Sequence, residues 1–80
     1  MIEVIVFGVG CSLCRHLLGN VQMASKQLGL EVDVREVADI QEMINLGITA
    51  IPALSIDGKI VASGQVPNVS DIIHFLQEWP

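Results

Sequence analysis

The chain has 80 residues, of which 51% are hydrophobic, and four basic against nine acidic side chains give a net charge of −5. That length suits a single domain, residues 1–80, around one core, and the negative balance disfavours nucleic acid and anionic membrane surfaces as partners. No apolar run approaches the roughly 20 residues of a membrane span.

In chain order, the first element is IEVIVF, residues 2–7, β-branched, aromatic and almost wholly apolar. Such a run fits a central strand buried on both faces, as in a parallel sheet. GVG breaks it, and from Ser12 the period changes. Cys14, Leu17, Leu18, Val21, Ala24 and Leu28 recur at helical spacing and form one apolar stripe. Gly29 is a natural C′ residue, and LEVDVREV alternates as a second strand.

Asp39 with Glu42 three residues later resembles a capping box opening a short helix through Leu46, which Gly47 closes. ITAIPALSIDGKIVASG then holds two apolar runs joined by Asp57-Gly58, the dipeptide of tight type I′ hairpins. Asn68 with Asp71 caps a last helix whose apolar side is Ile72, Ile73, Leu76 and Trp79. The order β-α-β-α-β-β-α predicts an α/β fold, a four-stranded mixed sheet flanked by three helices. Its first β-α-β unit is a parallel crossover and its hairpin is antiparallel.

Cys11 and Cys14, the only cysteines, stand three positions apart in GCSLC. The start, MIEVIVFGVG, carries Glu3 and no basic residue, which argues against a secretory signal. A cytoplasmic setting is therefore expected, where paired cysteines are more often catalytic or metal-binding than structural. Three readings remain open on the residues: a redox dithiol, part of a metal or iron–sulfur site, or two small buried side chains. Placement after a central strand and at a helix start favours the first. A helix N-terminus presents unpaired N–H groups and partial positive charge, both of which stabilise a thiolate. Cys11 would be exposed there, and Cys14 would face the core stripe one turn on. The spacing permits a small disulfide ring, so that Cys11 attacks a substrate disulfide and Cys14 resolves the mixed disulfide.

The metal reading is the alternative. A structural zinc site wants four ligands, and no second C-x-x-C exists. His16 would point away from the pair, although a dimer could share ligands, including those of an iron–sulfur cluster. Gly10, Ser12, Leu13 and Arg15 flank the cysteines as candidate modulators. Arg15 would act through its charge, and Leu13 as an apolar contact or a cover over the disulfide. His74 reads as surface, and Met23 and Met43 as packing. Pro52, in TAIPAL, reads on composition alone as a strand-start proline with a trans bond.

Taken together, C-x-x-C after the first strand, Ile51-Pro52 before the third, the Asp57-Gly58 hairpin and Gly64 after the fourth strand resemble the thioredoxin superfamily. The similarity is greatest to its minimal form, the small redox-active disulfide (glutaredoxin-like thioredoxin) proteins, and it covers essentially the whole chain. The resemblance implies a thioredoxin-like fold and a thiol–disulfide oxidoreductase active in electron transfer and cell redox homeostasis. Cys11 is then the nucleophile, Cys14 the resolving thiol, and Ile51-Pro52 a cis bond beside them that contacts the substrate backbone. It further implies no cofactor or metal beyond the redox-active disulfide, protein or small-molecule disulfides as substrates, and a reductase as electron donor. The chain departs from larger relatives in its C-S-L-C tetrad, in Gly10 where a Trp precedes the pair, and in VIVF, residues 4–7 of the first strand, which has no counterpart of the buried Asp those relatives carry there.

Overall fold

The structure, a computed structural model, describes residues 2–9 and 12–78. Seven elements follow one another: β1 (Ile2–Phe7), α1 (Ser12–Leu28), β2 (Val32–Val37), α2 (Ile40–Asn45), β3 (Ala53–Ile56), β4 (Lys59–Ser63) and α3 (Val69–Gln77). The strands form one sheet in the order β2-β1-β3-β4. β1 runs parallel to β2, pairing Ile2 with Val32 through Phe7 with Val37. It runs antiparallel to β3, with Val4 opposite Ile56 and Phe7 opposite Ala53. β3 and β4 form the hairpin, with a register shift between Leu54 and Ser55.

The two inner strands are largely apolar, and helices pack against both their faces, more fully on one than on the other. Val4 and Val6 of β1 and Leu54 and Ile56 of β3 join Leu17, Val21 and Ala24 of α1 and Ile72 and Leu76 of α3 in the main core. Alternate residues point the other way, where Phe7 and Ala53 pack with Met43 of α2 and Ile48. Edge strand β2 keeps Val32 and Val34 against the main core. Asp33 and Arg35, on its other face, are exposed.

Local signals set the boundaries. At the end of α1, Leu30 N–H donates to Ser25 O (3.1 Å) and Gly29 N–H to Lys26 O (3.2 Å), a Schellman motif with Gly29 at φ +66°. The same motif closes α2, where Ile48 N–H reaches Met43 O (2.9 Å) and Gly47 N–H reaches Ile44 O (3.0 Å). Asp39 caps α2 by accepting from the N–H groups of Gln41 and Glu42, and Asn68 caps α3 by accepting from Asp71 N–H at 2.8 Å. α2 ends at Asn45 rather than Leu46, which is its C-cap. Asp57 and Gly58 both take positive φ, 49° and 86°, as a type I′ turn requires.

One side chain departs from expectation. Met43 is buried, but Met23 is 49% exposed. Position 23 falls between the buried Val21 and Ala24 in sequence and so turns about 100° per residue off the stripe they define. Trp79, expected on the apolar side of α3, lies outside the described residues.

Candidate active site

The candidate site lies where β1 gives way to α1. Gly10 and Cys11 lie outside the described residues. The helix begins at Ser12, the residue that follows Cys11 in sequence. Ser12, Leu13, Arg15 and His16 are exposed, whereas Cys14 is only 6% exposed and opens the stripe that continues through Leu17, Val21 and Ala24. Helical periodicity explains the split: Cys14, Leu17 and Val21 stand three and four apart, and their neighbours rotate outwards.

Gly8 bounds the Cys14 sulfur from the strand side. A Cβ built on Gly8 would overlap Cys14 Sγ and lie 3.0 Å from Cys14 Cβ. Sequence reading treats this glycine only as a strand breaker. The pairing of residue 8 with residue 14 depends on how α1 folds back over β1, and no local pattern carries it.

The second arm of the site is the segment before β3. The Ile51–Pro52 peptide bond is cis, and Pro52 is buried while Ile51 is 40% exposed. The segment is tied to the end of β4 at two points. Gly64 N–H donates to Pro52 O at 2.9 Å, and Ser63 Oγ donates to Ala50 O at 3.3 Å. Gly64 holds φ +71°, and a Cβ there would stand 2.9 Å from Ala50 Cβ, so both conformation and space call for glycine.

An apolar cleft of about 240 Å³ joins the two arms. Val9, two residues before Cys11, and Ile51, bonded to Pro52, line it together with Ile40, Met43 and Ile44. Val9, Ile40 and Ile44 are 51%, 63% and 61% exposed, so the cleft is an open apolar surface. Among the described residues no three His, Cys, Asp or Glu side chains converge to hold a metal ion. His74 sits on the surface of α3, 3.3 Å from Glu78. Among the described residues no helix is long and apolar enough to cross a membrane.

A four-stranded mixed sheet with α1 and α3 on one face and α2 on the other, entered at a C-x-x-C and a cis-proline, defines the thioredoxin-like class. Comparison with known proteins gives the same result. The family described as the thioredoxin domain matches residues 2–77, and the chain belongs to it. The thioredoxin of Methanothermobacter thermautotrophicus is 29% identical over 72 residues, spanning 90% of this chain and 94% of that one. The thioredoxin of Methanocaldococcus jannaschii is 29% identical over 79 residues, spanning 99% and 91%. Among solved structures, a malarial protein superposes with a TM-score of 0.74 at 13% identity, covering 98% of this chain and 96% of its own. The oxidised thioredoxin of Plasmodium falciparum gives 0.62 at 17%, covering 94% and 80%. These last two likenesses concern the fold. The protein is a thiol–disulfide oxidoreductase of the thioredoxin family.

Proposed function

We propose that Cys11 and Cys14 are the redox pair, with Cys11 the nucleophile and Cys14 the resolving thiol, in a single domain that works in the cytoplasm. The observation that carries this reading is the burial of Cys14 at the head of the α1 stripe, in a helix that begins at the residue after Cys11. A buried second sulfur is shielded from external disulfides yet stands only three positions from the first in sequence, which suits it to attack within the molecule rather than outside it.

In the reductive direction, the Cys11 thiolate attacks one sulfur of a substrate disulfide, and the other substrate sulfur leaves as a thiolate that takes up a proton. Cys14, giving up its proton to solvent, then attacks the Cys11 sulfur. The mixed disulfide breaks, the second substrate thiol is released, and a Cys11–Cys14 disulfide remains. Two electrons have passed to the substrate, and an external dithiol or reductase returns them. The disulfide itself carries the chemistry, so no metal or other cofactor takes part.

Protein disulfides are the substrates this reading favours, with small-molecule disulfides as simpler ones. The cleft places Val9 and Ile51 on one opening. An extended segment docked there would rest its backbone against the Ile51-Pro52 edge and its apolar side chains on Ile40 and Ile44. Gly10, Ser12, Leu13 and Arg15 remain candidate modulators of the pair, Leu13 by its 54% exposed side chain and Arg15 by its charge.

The test is turnover of a protein disulfide with a small dithiol as donor. Wild-type protein is expected to accelerate reduction well beyond the free dithiol, and Cys11→Ser to abolish the acceleration. Equal rates for Cys11→Ser and wild type would overturn the assignment of the nucleophile.

A further inference from the structure

Gly8 continues the path of β1 by one residue. Its N–H donates to Val37 O at 3.0 Å, so the β1–β2 ladder extends past the Phe7–Val37 pair and fixes the backbone there. Val4 and Val6 face the core under α1, and the two-residue period puts the missing side chain of Gly8 on that same face. The Cys14 sulfur fills the space, since a Cβ on Gly8 would overlap Sγ. Among the described residues the glycines that take positive φ are Gly29, Gly47, Gly58 and Gly64, and Gly8 is not one of them. Backbone conformation therefore does not call for glycine at this position; the neighbouring sulfur does.

Neither partner yields easily. The strand end is held by its ladder bond, and Cys14 is held by a helix whose Leu17, Val21 and Ala24 are fully buried against the sheet. A methyl group at residue 8 would thus displace Sγ by rotation about the Cys14 Cα–Cβ bond, while its 3.0 Å approach to Cys14 Cβ, which that rotation leaves in place, asks for only a few tenths of an ångström of give between the two segments.

We propose that Gly8 is a positioning residue of the oxidoreductase: its bare Cα is the seat that fixes where the Cys14 sulfur stands for the resolving step. This rests on the assignment of Cys14 as resolving thiol. In that step the Cys14 thiolate forms a bond to Cys11 sulfur, the bond between Cys11 and the substrate breaks, and the substrate leaves as a thiolate that is protonated by solvent. The attack needs three sulfurs nearly in line, so displacement of the attacking one slows it. The first step, attack by Cys11 on the substrate, does not involve the seat.

The experiment uses an aryl disulfide that releases a coloured thiolate at each step, mixed with fully reduced protein under single-turnover conditions. Wild type is expected to release two thiolates per chain in two phases. Gly8→Ala is expected to keep the first phase and slow the second by about 10- to 100-fold, the scale of a displacement near 1 Å. A second phase unchanged in folded Gly8→Ala, or both phases slowed alike, overturns the proposal. Should Gly8→Ala fold poorly, urea midpoints decide. Gly8→Ala is expected to lower the midpoint more in the wild-type background than in Cys14→Ala, where Sγ is gone. Equal shifts in the two backgrounds overturn the seat. A wild-type chain with no second phase removes the Cys11–Cys14 pairing itself, an outcome distinct from any behaviour of Gly8.

Discussion

The two faces of the sheet are built to different standards. On one, α1 and α3 cover Val4, Val6, Leu54 and Ile56, and Leu17, Val21 and Ala24 of α1 are fully buried in the contact. On the other, the six residues of α2 bury only Met43, while Ile40 and Ile44 point outwards and Leu46 is 53% exposed. Apolar surface left in water contributes nothing to folding, whereas each large aliphatic side chain fully buried contributes about 1.5–3 kcal/mol. The well-covered face therefore holds the fold together. The thinly covered one leaves an apolar surface continuous with the cleft beside Ile51, where the proposed substrate segment would rest.

Substitutions on the two faces should separate these roles. The largest effect is expected on the covered face: Leu17→Ala removes a fully buried side chain and should cost about 2–5 kcal/mol. The check is a lower urea midpoint at unchanged slope; a loss comparable with that of a surface substitution would mean that the main core is not where stability resides. Gly64→Ala should rank next. A side chain there must adopt positive φ and meet Ala50, costing about 1–3 kcal/mol. Because Gly64 N–H holds Pro52 O, the variant should also lower turnover of protein disulfides at temperatures where it remains folded. The smallest stability effect belongs to the open face. The double variant Ile40→Ser with Ile44→Ser should stay within about 0.5 kcal/mol of wild type. It should nevertheless raise KM for a protein disulfide and leave a small aryl disulfide unaffected. A large stability loss, or equal effects on both substrates, would erase the distinction between the faces.

Much of this arrangement is legible in the sequence because it is written in short-range chemistry. The apolar run of β1, the stripe from Cys14 to Ala24, the Asp39 and Asn68 caps and the Asp57-Gly58 turn each need only neighbours within a few residues. They lead to the observed element order. Two cysteines three apart likewise mark the candidate site at once. What stays hidden depends on contacts between distant segments. Nothing local in Met23 distinguishes a packing methionine from an exposed one until the helix phase is fixed by Val21 and Ala24. Pro52 alone reads as an ordinary strand-start proline, and only the resemblance of the whole pattern implies the cis bond. The seat at Gly8 and the cleft from Val9 to Ile51 arise from the way α1 and the segment before β3 fold against β1, and no spacing in the chain encodes either.

The central claim is that Cys11 and Cys14 exchange between dithiol and disulfide within one chain. Counting thiols in the denatured protein, after mild oxidation and again after reduction, tests it most directly. The chain contains only these two cysteines, so reduced protein should titrate two thiols. Oxidised protein should titrate none while remaining a single chain on a non-reducing gel. Two thiols surviving oxidation, or their loss only through covalent dimers, would contradict the account.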